Sequence, residues 1–183
     1  MKTNFKPQTW FYPLAVAMIG TYDKDGNPNL MNAAWASIYD YNKVLVNMAS
    51  HKTTDNLKEN GYFTLAFATK KTVCESDYVG IVSGNVEKNK IKKCGLTPKK
   101  GTINAPYFDE YPLTLELKLE SMDDDYHVIG EIVNIIVDDS ILTDGKIDPK
   151  KLEAISFDPV NNKYLLLSGE VVADAFKCGL KFK

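Results

Sequence analysis

Leu113-Thr114-Leu115-Glu116-Leu117-Lys118-Leu119-Glu120 alternates apolar and polar residues without a break. Successive side chains of a β-strand point to opposite faces, so this period of two reads as a strand with one buried face. The odd positions are expected to face a core and the even positions water. Its flanks agree with that reading. Ser121-Met122-Asp123-Asp124-Asp125-Tyr126 is a polar turn, and its three aspartates read as an exposed acidic loop. Residues 127–137 then form a second long strand, with Gly130 as a bulge or a point of close approach. His127 reads as a satisfied histidine, not a base.

Outward from this pair, short apolar runs recur along the chain. Residues 14–21, bounded by Pro13 and Asp23, read as a buried strand, and Asp25-Gly26 carries hairpin-turn chemistry. The turn lacks the glycine and glutamate spacing of a calcium loop. Residues 30–38 read as one returning strand, followed by strands at 44–49 and 62–67 and a last one at 164–167. Helices are expected at 54–59, within 88–95 and within 149–154. Residues 77–84 show no clean period, and 105–108 read as an extended link. Six or more strands separated by turns predict a mainly β fold, a β-barrel with short helices in Greek-key antiparallel order. The chain has 183 residues, which suits a single domain over 1–183.

Composition excludes several function classes. A net charge of −2 argues against general nucleic-acid binding. The lysines at 88, 90, 92, 93, 99 and 100 have no interleaved aromatics and read as a solvated face. No apolar run approaches the ~20 residues of a membrane span, and the N-terminal stretch lacks signal-peptide organisation. Cys74, Cys94 and Cys178 form no CxxC, which suits reduced thiols and a cytoplasmic protein without a metal site or disulfide framework. With only His51 and His127, and no GxGxxG, P-loop or GxSxG motif, no catalytic side chain is expected. If the chain is an enzyme, a cofactor carries the reaction.

Two stretches are candidates for holding it. Between the strand at 44–49 and the helix at 54–59 lies Ser50-His51-Lys52-Thr53. A helix N-terminus offers unpaired N–H groups and a favourable dipole to an anion, to which Ser50, Thr53 and Lys52 add donors and charge. The same residues also suit an ordinary capped helix, with Thr53 or Thr54 as N-cap and Lys52 in water. Residues 32–37, Asn32-Ala33-Ala34-Trp35-Ala36-Ser37, crowd small side chains around one Trp. That leaves room for something flat near the backbone, or for a tightly packed sheet.

The order of motifs is more specific than any one of them. It runs through Tyr12-Pro13, the 23–29 turn, Ala33-Ala34-Trp35-Ala36-Ser37, His51-Lys52-Thr53, Asn60-Gly61-Tyr62-Phe63, Asp77-Tyr78-Val79-Gly80-Ile81-Val82-Ser83-Gly84, Ala105-Pro106 and His127-Val128-Ile129-Gly130. This series resembles the flavin reductase-like, FMN-binding split-barrel proteins of the flavoredoxin type. The resemblance implies that Asn32, Ala33, Ala34, Trp35, Ala36 and Ser37 lie along the isoalloxazine ring. Trp35 would wall it, and Asn32 and Ser37 would hydrogen-bond its polar edge. Ser50, His51, Lys52 and Thr53 would hold the FMN phosphate, and Ser83, Gly84 and Lys88 match a further family segment. It also implies a homodimer with FMN near the interface, and NADH or NADPH as donor of a hydride to flavin N5. An electron carrier trading electrons with a redox protein is the alternative. Val79 stands where the family often has Cys, Asn32 where it has Thr, and no Gly precedes His127.

Overall fold

The computed structural model describes residues 1–183. The chain opens with β1 (Leu14–Ala15) and β2 (Ala17–Tyr22), then turns into β3 (Pro28–Ala33) and β4 (Ala36–Asp40). β5 (Lys43–Asn47) leads to α1 (Lys52–Asn60), β6 (Tyr62–Phe67), α2 (Val73–Ile81) and the single turn α3 (Lys90–Lys93). A small hairpin, β7 (Pro98–Lys100) and β8 (Pro106–Phe108), precedes the long β9 (Leu113–Met122) and β10 (His127–Val137). The C-terminal part holds β11 (Leu142–Thr143), β12 (Lys146–Ile147), α4 (Pro149–Leu152), β13 (Ile155–Asp158) and β14 (Lys163–Leu166).

The main sheet has seven strands in the order β3-β2-β6-β9-β10-β5-β4, antiparallel at every pairing. Its two edge strands, β3 and β4, are consecutive in sequence, with only Ala34 and Trp35 between them. A seven-stranded sheet can bring its opposite edges that close only by curling onto itself. The result is a barrel whose last seam is bridged by chain and not by a ladder: a split barrel. The reading of 30–38 as one strand therefore needs correcting. The run is two strands on two edges, and the break falls at Ala34-Trp35.

Both faces of the curled sheet are covered. Ala17 and Ile19 of β2 pack with Val46, Leu57, Phe63, Leu117 and Val128 in one apolar cluster. Val16 and Met18, pointing the other way, pack with Leu30, Val79, Ile91, Phe108 and Ile155 in a second. That two-sided burial explains why residues 14–21 are apolar without alternation. It also corrects the reading of 113–120: Leu115 and Leu117 do face a core, but Thr114 and Glu116 are buried as well. The segment joining β7 to β8 lies over them. Thr102 donates to Glu116 from its N–H at 2.8 Å and its hydroxyl at 2.6 Å, and Asn134 Nδ2 donates at 2.6 Å. A buried carboxylate is tolerable only with such a set of donors.

Gly130 is both a register shift in the β9–β10 ladder and a close approach, as expected. A Cβ there would lie 2.5 Å from Phe63 Cζ. The strand β13, which pairs with β1 and β14, is missing from the sequence reading, and so is the helix α2. Its inward positions are Ser76 and Val79, and Ser76 Oγ meets the buried Tyr111 hydroxyl at 3.1 Å, so a polar core residue erases the apolar period. Lys90 is a further correction to the solvated lysine face. Only 3% exposed, it sends its ammonium to the carbonyls of Val79 and Val82 at 3.2 and 3.1 Å.

Candidate functional site

β3 is an edge strand that carries both ends of the site. At its start, Asn29 Nδ2 donates to Thr53 Oγ1 at 2.9 Å, tying the strand to the first turn of α1. The helix is capped earlier than expected, two residues before Thr53 and three before Thr54. His51 is the N-cap in extended conformation, and its N–H donates to Thr54 Oγ1 at 2.9 Å. Gly61, at a φ of 67°, ends the helix by donating to the Leu57 carbonyl. The N–H groups of Lys52 and Thr53 find no acceptor within the chain, which leaves two backbone donors for an anion.

The charge of Lys52 is also uncommitted. Its ammonium lies 3.8 Å from Asp23 Oδ2, at the limit of an ion pair. Asp23 already accepts the N–H groups of Asp25 and Asn27 and the side-chain amide of Asn27. Its burial works against ionisation, but these hydrogen bonds outweigh it and hold the carboxyl below its ordinary value.

Lys52 opens onto a cleft of about 970 Å³, which Asn29, Gly84 and Lys88 also line. Gly84 approaches so closely that a Cβ would lie 2.4 Å from Asn29 Oδ1 and 3.6 Å from Lys52 Cγ. Thus Asn29, Lys52, Thr53, Gly84 and Lys88 are brought to one end of β3. Ser83 is exposed beside them, its hydroxyl accepting from the Asn85 N–H. Ser50 and His51 are exposed on the turn before α1 and do not line the cleft.

Three residues along β3, Asn32 and Ala34 line a second recess of about 240 Å³ with Val16, Gly80, Ile81 and Phe157. Asn32 Nδ2 donates to the Ser76 carbonyl at 3.3 Å, and Gly80 leaves no room for a Cβ against the Asn32 side chain. The recess also holds a polar pair, with the Tyr164 hydroxyl donating to Asp77 Oδ1 at 2.7 Å. Burial, and then this bond, push the tyrosine up to about 12, so it stays protonated. Trp35 is 54% exposed and unstacked, and its carbonyl accepts from the Asn47 N–H at 2.9 Å. Ala33 points into the core, whereas Ala36 and Ser37 belong to β4 on the other side of the seam.

Comparison with known proteins matches this geometry to a family. The model of the flavin reductase like domain matches residues 10–150. The chain belongs to the flavin reductase-like family. In structure it is similar to flavoredoxin of Desulfovibrio vulgaris (Miyazaki F), with 38% identity, a TM-score of 0.93, and coverage of 98% of this chain and 100% of that one. A flavoredoxin from Methanosarcina acetivorans matches at 26% identity and a TM-score of 0.90, over 100% of both chains. Nitrilotriacetate monooxygenase component B from Bacillus cereus shares the fold at 20% identity and a TM-score of 0.76, covering 94% of this chain and 99% of that one. Curated proteins gave no match.

The donor set fits the phosphate end of a family flavin: two free N–H groups, an uncommitted ammonium, and a glycine backbone pressed against the same wall. Val79, where the family often has Cys, packs into the core, so that departure lies on the inner side of α2. Sequence reasoning missed Asn29, Asp77, Tyr164 and Lys90. Asn29 sat inside a quoted motif, but its role depends on the fold bringing Thr53 and Gly84 to it. No helix of the chain is long and apolar enough to cross a membrane.

Proposed function

We propose that the protein is an FMN-binding oxidoreductase of the NAD(P)H-dependent flavin reductase type. The observation that carries the reading is the convergence of Asn29, Lys52, Thr53 and Gly84 at one end of β3, with the Asn32–Ala34 recess farther along the same strand. An anion anchored at the first end leaves a flat ring free to extend toward the second. When bound, FMN supplies two-electron chemistry, with hydride from a reduced nicotinamide arriving at N5.

The protein's own residues bind and orient. Lys52 offsets phosphate charge, while the N–H groups of Lys52 and Thr53 donate to it. Ser50, His51, Ser83 and Lys88 flank that end. Asn32 keeps an amide oxygen for the ring edge, Trp35 supplies an open aromatic flank, and Ala34, Ala36 and Ser37 add no bulk that would hold a ring away. No side chain is assigned a proton-transfer role. A homodimer belongs to this reading. β4 is a sheet edge whose Ile38 and Tyr39 are exposed, and Tyr41 follows them, a surface that a second copy would cover.

The second reading, an electron carrier that keeps FMN and exchanges electrons with a redox protein, is favoured by the similarity to two flavoredoxins. A visible absorption spectrum of the purified protein, followed by anaerobic addition of NADH or NADPH, separates the two. Rapid bleaching by a nicotinamide is expected of the reductase. Bound flavin that ignores both nicotinamides and bleaches with a reduced redox protein would make it a carrier. No flavin bands, even after soaking in FMN, would overturn both.

A further inference from the structure

The two ends of β3 carry opposite charge. The cleft at the Asn29 end has five lysines against three acids, a formal excess of two positive charges that balances one phosphate. The recess at the Asn32 end is lined by Asp77 and by no basic residue, so its charge is negative. Asp77 takes part in no ion pair of the chain. Its carboxylate is held by a neutral donor, the Tyr164 hydroxyl at 2.7 Å. A neutral amide at position 77 would accept the same bond and join α2 to β14 as well. The charge is therefore more than the packing requires.

The pair is fixed from both sides. α2, which carries Asp77, is docked onto β3 by the bond from Asn32 Nδ2 to the Ser76 carbonyl at 3.3 Å. It is also docked by Gly80, where a Cβ would lie 2.9 Å from the Asn32 Cβ. Tyr164 on β14 packs against Phe157 of β13, with ring centroids 6.0 Å apart. Burial and the neighbouring carboxylate keep its phenol protonated, so it remains a donor. Both members of the pair are half-buried, and Asp77 is kept beside Asn32 in the recess instead of turning into water.

A charge of that sign bears on a ring reduced beside it. Hydride from a reduced nicotinamide brings two electrons and one proton and leaves the donor one unit more positive, so the ring gains one negative charge. A fixed carboxylate in a poorly solvated recess repels that charge, while the neutral oxidised ring feels little of it.

We infer that Asp77, positioned by Tyr164, sets the potential of the bound flavin: it disfavours the reduced form against the oxidised one and makes the protein a stronger reductant. The inference rests on the FMN reading and holds for the reductase and the carrier alike.

The test is redox titration of the flavin-loaded protein against a reference dye, with the affinity for oxidised FMN read by fluorescence on the same samples. Asp77→Asn keeps an oxygen for the Tyr164 bond and should hold oxidised FMN as the parent does. Its preference for reduced FMN should rise on the order of tenfold, an upward shift of about 30 mV for a two-electron couple. Tyr164→Phe leaves the charge in place and should move the midpoint less. Glu75→Gln removes an acid of the same helix that faces Cys94 and Tyr111 outside the recess, and should leave the midpoint where it was. An unshifted midpoint in Asp77→Asn would overturn the inference, as would an equal loss of affinity for both forms of FMN. A shift as large in Glu75→Gln would reduce the effect to overall charge, and one as large in Tyr164→Phe would assign it to the hydrogen bond; either result also overturns it. A chain that takes up no FMN would refute the cofactor reading itself, whereas bound FMN with an unmoved potential refutes only the role of Asp77.

Discussion

Asn29 is held between Thr53 and Gly84. Its amide nitrogen donates to the threonine at 2.9 Å, and its amide oxygen faces the glycine at a spot where a Cβ would come within 2.4 Å. One asparagine thus sets both the first turn of α1 and the approach of the segment after α2. Gly84→Ala should push Asn29 aside, weakening FMN binding and, through the loss of its buried bond to Thr53, lowering the melting temperature as well. Fluorescence titration of FMN beside thermal melting checks this; unchanged FMN affinity would remove Gly84 from the site.

Lys52→Ala removes the cation nearest the free N–H groups of α1. FMN affinity should fall on the order of tenfold, the usual scale for a charge-assisted hydrogen bond. Lys146→Ala, on an exposed strand far along the chain, serves as the control. Equal affinities in the two variants would take Lys52 out of the phosphate site.

Glu116 should govern part of the acid stability. Burial opposes its ionisation, but hydrogen bonds from Thr102 and Asn134 outweigh this and lower its pKa. A lowered carboxylate pKa means that the unfolded chain takes up the proton first. The stabilisation is complete above roughly pH 4.5 and is lost as pH falls through the lowered value. In Glu116→Gln that part of the acid limb should be absent when urea midpoints are plotted against pH. Superimposable acid limbs would contradict the assignment.

Lys90 should act at the opposite end of the pH scale. Burial lowers its pKa to about 8, with the nearby Cys94 opposing the shift. An unfolded lysine titrates near ~10.4, so between these values the unfolded chain holds a proton that the folded chain has released. Stability therefore gains a rising component from about pH 8 upward. Lys90→Met should lack that component in denaturant titrations across this range, whatever its absolute stability.

Gly130→Ala tests the packing beneath the bulge. The added carbon would stand 2.5 Å from the fully buried Phe63 ring, which has nowhere to move. Overpacking of this kind costs about 1–3 kcal/mol. A urea midpoint equal to that of the parent would show that the ladder relaxes there.

Much of the fold was legible because local chemistry and global position agree. The strands at 62–67 and 127–137 and the bulge at Gly130 follow from apolar patterning, turn residues and the demands of close approach. Three of the misreadings share one cause, which is burial on two sides, whereas the single strand read at 30–38 failed at the seam, where the chain changes sheet edge. Glu116 looks like a solvent-facing residue until the segment at 101–106 is laid over it, and Ser76 hides the inward face of α2 by bonding Tyr111. Lys90 sits among exposed lysines in sequence, and only the end of α2 gives it acceptors. In the site, the helix N-terminus and Lys52 were readable from the 50–53 stretch. Asn29 was not, because its partners lie 24 and 55 positions farther on, at Thr53 and Gly84.

The two-residue link between β3 and β4 works as a hoop of fixed length. Because it joins opposite edges of the same sheet, one added residue there would change the girth of the barrel before it changed anything about the ligand. The site is therefore adjustable only from above, through α2, the segment carrying Gly84 to Lys92, and β14. The stretch that walls the second recess from below carries the geometry of the whole barrel, while the rest of that wall hangs on chain that lies outside the seam.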